Sequence, residues 1–184
     1  MTSTAELRAR TGGLDVKRIV YDRDAIAARV VEMAGDIAAA YPPEDDLLVL
    51  GLLKGSFIFM ADLVREITRP VTVDFLVASS YGSGMVSSGR VDLLYDPEAE
   101  LRGRHVLLVE DIVDSGNTLN RLVPLLRERS PKSLELCTLL HKRIARELML
   151  DARWVGFDAP SEFLIGYGLD HSENFRNLPF IASL

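Results

Sequence analysis

The sequence predicts an α/β protein built on a mostly parallel, twisted sheet flanked by helices. Three observations carry that prediction. Short aliphatic runs such as LLVLGLL at residues 47–53 show no polar alternation, which suits strands covered on both faces. Between them lie segments whose apolar residues recur at helical spacing. The regular alternation of the two puts helices on both faces of the sheet.

In order along the chain, residues 1–13 are polar without a clear period and are expected to be loosely held. Asp22 or Asp24 can cap a helix that carries Ile26, Val30, Met33 and Ile37 and stops at Tyr41-Pro42-Pro43. After the 47–53 strand, Phe57, Met60, Ala61, Val64 and Ile67 mark a helix closed near Pro70. The β-branched run 71–77 is a second strand, followed by a Gly/Ser segment and a short strand at 91–94. Residues 106–109 form another covered strand, 119–129 a helix with Leu122, Leu125 and Leu126 on one side, and 133–140 a further strand. Short runs at 154–157 and 163–167 precede an irregular tail. No repeat or linker divides the chain, so residues 1–184 are expected to make a single domain.

A net charge of -6 and a pI near 5.1 give no general attraction to nucleic acid or anionic lipid. The lone cysteine, Cys137, sits in an apolar run and excludes an internal disulfide. That fits a reducing cytoplasm. No stretch approaches the ~18 apolar residues of a membrane span, so no membrane partner is expected.

Ligands of such sheets bind beyond the carboxyl ends of the strands, which directs attention to HVLLVEDIVDSGNTL, residues 105–119. With VLLV on a strand, Glu110 and Asp111 emerge at its carboxyl edge and Asp114 swings outward. Ser115, Gly116, Asn117 and Thr118 then lead into a helix, and a glycine turn at a helix N-terminus suits a phosphate dianion. Neither a Walker loop nor a dinucleotide fingerprint is present. Acids beside an anion cradle fit a phosphorylated sugar, whose hydroxyls the carboxylates accept while the turn holds the phosphate; a divalent metal would offset the acidic charge. The plain alternative is a solvated capping turn in which Asp114 and Ser115 merely start the helix.

VLLVEDIVDSGNTL resembles the phosphoribosyl pyrophosphate signature of type I phosphoribosyltransferases. Between about Ile19 and Ile181 the chain is similar, more narrowly, to the hypoxanthine-guanine phosphoribosyltransferases: LLKGSFIFMADL, SSYGSG, LLHKR and FLIGYGLDHSENFRNLPFI follow in the family's order. The resemblance implies the type I phosphoribosyltransferase fold, with a small hood from the terminal segments (residues 154–184 bearing the purine site). It implies transfer of phosphoribosyl from phosphoribosyl pyrophosphate to N9 of hypoxanthine or guanine, a 6-oxopurine, with Mg²⁺ as cofactor and a homodimer or homotetramer as assembly.

On the same basis Glu110 and Asp111 would hold the ribose diol near the metal, with Asp170 a second metal-linked acid beside the purine 2-position. Asp114 would act as general base at purine N7, and Asp114, Ser115, Gly116, Asn117 and Thr118 would form the 5′-phosphate loop. Lys54 and Gly55, after a cis peptide between Leu53 and Lys54, would bind pyrophosphate through their backbone amides, with Arg176, and with Ser80 and Tyr81 of a lid at residues 79–89. Lys142 would donate to the purine 6-oxo group, Phe163 would stack on the base, and Leu164 stands where relatives often carry valine, its extra bulk facing the question of guanine preference. Taken singly, Lys54 and Lys142 read as solvated strand ends and Phe163 as core. His171 stands where tyrosine is frequent and receives no role; it and His105 read as packed or solvated side chains.

Three competing readings stand beside this one. A xanthine-preferring enzyme shares every motif. An RNA-binding regulator on the same fold needs a basic face that the sequence lacks. A signalling receiver domain would place its acidic pair after the first strand and has no use for the DSGNT turn.

Overall fold

In the computed structural model the described residues are 4–13, 16–78, 93–143 and 147–184. The elements are α1 (Thr4–Thr11), β1 (Arg18–Tyr21), α2 (Arg23–Ala40), β2 (Leu47–Leu53), α3 (Phe57–Glu66), β3 (Thr72–Ala78), β4 (Leu93–Tyr95), β5 (His105–Val113), α4 (Asn117–Glu128), β6 (Ser133–His141), β7 (Ala152–Asp158), β8 (Leu164–Ile165) and β9 (Ile181–Ser183). The main sheet runs β4-β3-β2-β5-β6-β7. β3, β2, β5, β6 and β7 are parallel, and β4 pairs antiparallel at the edge. The expected parallel α/β sheet is therefore present.

Its strands lack alternation because both faces are covered. Leu47 and Val49 of β2, with Leu107 and Val109 of β5, pack under α2 and α3. Leu48, Leu50, Val106 and Leu108 point the other way, against Leu119, Leu122 and Leu126 of α4. Asp22 caps α2 by accepting from the Ala25 amide at 2.9 Å, and Met33 and Ile37 are fully buried along its inner face. Cys137 and Trp154 lie in the same core. His105 is packed rather than free, its ring nitrogens 2.6 Å from Ser133 Oγ and 3.0 Å from Asp45 Oδ2.

A second, antiparallel sheet joins the two ends of the chain in the order β1-β9-β8. One face, with Leu164 and Ile181, packs onto the main core; the other, with Ile165 and Ala182, makes its own cluster. This is the hood.

Several boundaries differ from expectation. Thr4–Thr11 is helical, although its sequence has no apolar period. β1 and β9 carry too few residues for a pattern and are held by pairing with each other, Ile19 opposite Ala182. β5 does not end at Val109: Glu110, Ile112 and Val113 keep parallel register with Thr138, Leu140 and His141. The lid segment, with Ser80 and Tyr81, lies outside the described residues.

Leu108, fully buried at the centre of the sheet, sets the scale of core stability. Leu108→Ala is expected to lower unfolding free energy by about 2–5 kcal/mol, measured by urea denaturation; a loss under about 1 kcal/mol would show a poorly packed centre.

Candidate active site

The parallel strands deliver their last residues to one edge, and the candidate residues gather there. β2 ends in a cis peptide between Leu53 and Lys54, as the resemblance implies. Ser56 closes the turn by donating from Oγ to the Leu52 carbonyl at 2.7 Å, and α3 begins at Phe57. Gly55 then presses against the next strand: a Cβ there would lie 1.8 Å from Asp111 Oδ2. Gly168, at φ +103°, meets the same turn, since a Cβ on it would lie 2.0 Å from the Gly55 carbonyl oxygen. Glycine is required at 168, where the contact is with backbone and φ is positive; at 55 a side chain would have to displace the Asp111 carboxylate.

The acids at the end of β5 are withdrawn from water. Glu110 Oε2 is buried with no hydrogen-bond partner among the described residues. Burial, reinforced by the neighbouring Asp111 charge, pushes the Glu110 carboxyl well above the usual carboxylate range. Burial likewise raises Asp111, to about 6, against the lowering effect of nearby backbone amides and Arg176. An acceptor buried without a donor is costly, so Glu110 is suited to a ligand that brings a hydroxyl or a cation.

Next to Glu110 the chain wraps a small cavity of about 80 Å³ lined by Glu110, Ile112, Asp114, Ser115, Gly116, Asn117, Thr118 and Leu119. That is between two and three times the ~30 Å³ share of one water in the liquid, the scale of a tetrahedral oxyanion. Gly116 adopts φ +79° and caps α4, whose first free amides therefore face this cup.

Asp114 stands at the rim, half exposed, with Oδ2 3.0 Å from Lys142 Nζ. Lys142 is held by its own amide donating to the Val113 carbonyl at 2.9 Å. The turn after β5 and the residue after β6 thus meet.

The hood supplies the opposite wall. Arg176 pairs with Asp170 Oδ1 at 2.8 Å and donates to the Gly168 carbonyl at 2.8 Å. Phe163 presents an exposed ring that His171 meets edge-on, with ring centres 5.6 Å apart. Leu164 points the other way, buried in the core. This corrects the concern over its bulk, because the side chain fills the interior rather than the cleft.

Glu110, Asp111 and Asp170 do not form a ready metal cage: among the described residues no three His, Cys, Asp or Glu side chains converge into one. Asp170 is engaged on both oxygens, by Arg176 and by the Glu173 amide at 2.8 Å. A Mg²⁺ that keeps waters and takes one or two carboxylates plus phosphate oxygens needs no such cage, and the unpartnered Glu110 oxygen suits it. A larger cavity of about 530 Å³ lies between α2, α3 and residues 177–179 and is lined by none of the candidate residues.

One residue escaped the sequence reading. Glu173 pairs with Lys54 across the cleft at 3.0 Å and approaches Arg176 at 3.4 Å. The available signal was the spacing of three in Asp170, Glu173 and Arg176.

Neutralising the Asp111 charge should stabilise the ligand-free protein. Asp111→Asn is expected to raise unfolding free energy at pH 8 by about 1–3 kcal/mol, while impairing any activity the site carries. Differential scanning calorimetry of the ligand-free protein checks this, and a lowered midpoint would contradict it.

Comparison with known proteins gives a consistent picture. Residues 18–172 match the model of the phosphoribosyl transferase domain. The chain is 42% identical over 168 residues to the hypoxanthine phosphoribosyltransferase of Haemophilus influenzae, covering 90% of this chain and 94% of that one. It is 46% identical over 160 residues to the same enzyme of Salmonella typhimurium, covering 86% and 90% of the two chains. Among solved structures, a hypoxanthine-guanine phosphoribosyltransferase of Bacillus anthracis superposes with a TM-score of 0.85 at 43% identity, over 92% of this chain and 99% of that one.

Proposed function

Given that the chain belongs to the phosphoribosyl transferase family, we propose that it is a purine salvage transferase. It moves the 5-phosphoribosyl group from phosphoribosyl pyrophosphate to N9 of hypoxanthine or guanine, giving IMP or GMP and pyrophosphate. The observation that carries this reading is the oxyanion-sized cup at the start of α4, opening beside the buried, unpartnered Glu110 carboxylate. A phosphorylated sugar is the ligand that satisfies both.

In this reading the cup amides hold the 5′-phosphate. Glu110 and Asp111 accept from the ribose 2′- and 3′-hydroxyls, which gives Glu110 Oε2 the donor it lacks. Lys54, Gly55 and Arg176 grip the pyrophosphate as the C1′–O bond breaks and its electrons pass to the leaving oxygen. N9 of the purine bonds to C1′, and Asp114 takes the proton from N7. Lys142 donates to the 6-oxo group and rejects adenine, whose amino group offers a donor there. The 3.0 Å pair between Asp114 and Lys142 supports these roles, since one flat base inserted at the rim gives each partner a new contact. The exposed Phe163 ring supplies the stacking surface.

Mg²⁺, carried by Glu110, Asp111 or Asp170 together with pyrophosphate oxygens, would neutralise charge on the leaving group. The family resemblance also supports a homodimer or homotetramer, which light scattering would establish. None of the described helices is long and apolar enough to cross a membrane; together with the buried Cys137 thiol this supports a cytoplasmic setting.

Incubation of the purified protein with phosphoribosyl pyrophosphate, Mg²⁺ and each of hypoxanthine, guanine, xanthine and adenine tests the reading. IMP and GMP are the expected products, and nucleotide formation from xanthine or adenine alone would overturn it. Asp114→Asn is expected to lower kcat by about 10²–10⁴-fold, the usual worth of a positioned base, with a much smaller change in phosphoribosyl pyrophosphate binding; unchanged turnover would remove Asp114 from the chemistry. Lys142→Ala should narrow the preference over adenine by at least about tenfold, on the order of one lost hydrogen bond to a charged group, read from kcat/KM in competition assays.

A further inference from the structure

The described cations of the proposed pyrophosphate site are already occupied by an acid of the chain itself. Glu173 Oε2 lies 3.0 Å from Lys54 Nζ and 3.4 Å from an Arg176 guanidinium nitrogen. One carboxylate oxygen therefore touches the side chains of two residues, Lys54 and Arg176, that the functional reading places at the diphosphate. Those two residues come from different parts of the fold, Lys54 from the turn after β2 and Arg176 from the hood.

The placement of Glu173 is specific. Ser172, Glu173 and Phe175 have φ of +52°, +64° and +73°, a left-handed stretch unusual for side-chain-bearing residues. The turn is pinned from within: the Glu173 amide donates to Asp170 Oδ2 at 2.8 Å, and Asn174 Nδ2 donates to the Ser172 carbonyl at 2.9 Å. The Glu173 side chain, by contrast, is two-thirds exposed, as is Lys54. Its carboxylate is thus fixed by two cations and not by packing, and it can leave without disturbing the core. The Lys54 hydrogen bond and charge also hold the Glu173 carboxyl below the usual range.

We propose that Glu173 is an internal stand-in for pyrophosphate: it balances Lys54 and Arg176 when no ligand is bound and is displaced by the diphosphate of the incoming substrate. Glu173 is then an affinity-setting residue that weakens diphosphate binding and speeds its release. This rests on the reading of Lys54 and Arg176 as diphosphate ligands.

Exposed ion pairs are individually weak, so displacing two of them changes affinity by about two- to tenfold. The test compares the wild type with Glu173→Gln, Glu173→Ala and Glu173→Asp. Each is titrated calorimetrically with pyrophosphate in Mg²⁺ and assayed for KM toward phosphoribosyl pyrophosphate and hypoxanthine. Glu173→Gln and Glu173→Ala are expected to bind pyrophosphate about two- to tenfold more tightly and to lower the phosphoribosyl pyrophosphate KM in step, leaving the hypoxanthine KM unchanged. Glu173→Asp keeps the charge but withdraws it by one methylene, and should move in the same direction.

A purely structural ion pair predicts the opposite sign, because losing it would loosen the turn and weaken binding. Unchanged or weaker pyrophosphate binding in the folded variants overturns the proposal, as does an Asp variant identical to wild type, which would reduce the effect to a general field. Absence of pyrophosphate binding in all four proteins overturns it too. Absence of nucleotide synthesis by the wild type would instead strike the functional reading, while the titrations still decide the role of Glu173.

Discussion

The site depends on one close approach, that of the Gly55 backbone to the Asp111 carboxylate. The space a side chain would fill at position 55 is taken by that carboxylate, and the Gly55 carbonyl in turn occupies the space a side chain would fill at position 168. Three segments far apart in sequence are thereby locked together: the turn after β2, the end of β5 and the hood. A larger residue at 168 would push the hood off the turn, and one at 55 would have to turn the Asp111 carboxylate out of its place. The contact also explains why Asp111 is so poorly hydrated, and why its carboxyl is pushed up to about 6. Crowding, not a neighbouring acid, is the leading cause of that shift.

From that contact follows a division among the acids. In the interior, Glu110 Oε2 is unsatisfied among the described residues, while Asp111 keeps only backbone amides. The rim acids are all paired: Asp114 with Lys142, Asp170 with Arg176, and Glu173 with Lys54. Burial makes an unmatched carboxylate expensive, whereas exposed ion pairs form and break at little cost. A ligand that supplies hydroxyls to the interior and anions to the rim gains where the chain alone does worst, and loses little where existing pairs must open. Substrate binding and relief of the chain's own electrostatic cost are the same event.

How much of this was legible in the sequence follows from local against distant causes. β2 at Leu47–Leu53 and the Asp22 cap of α2 were readable because a strand covered on both faces and a capped helix each leave a local pattern. The extension of β5 through Glu110 to Val113 was hidden, since two acids interrupt the apolar run and only pairing with β6 keeps it a strand. β1 and β9 could not be read at all, because each is too short to show a pattern and they pair with each other from opposite ends of the sequence. The residues of the phosphate turn are contiguous and so announce themselves. Glu173 does not: its significance comes from Lys54, 119 residues earlier in the chain.

The hood shows how a short strand can divide labour between stability and recognition. Phe163 lies exposed just before β8, and Leu164, the first residue of that strand, is buried against the main sheet. Leucine in place of a smaller residue therefore changes the packing of hood on sheet and leaves the outline of the base site alone. The ring of Phe163 meets His171 at 84°, edge against face, a geometry that favours both rings. Stacking holds any purine, so it cannot rank one base against another. In the proposed reading, ranking has to come from directional groups at the base edge: Lys142 for the 6-position, and the backbone and Asp170 for the 2-position. Lys142 is anchored by the Val113 carbonyl of β5 and Asp170 by Arg176 and the Glu173 amide, so on this reading the choice of base falls to hydrogen-bond matching by groups already held in place.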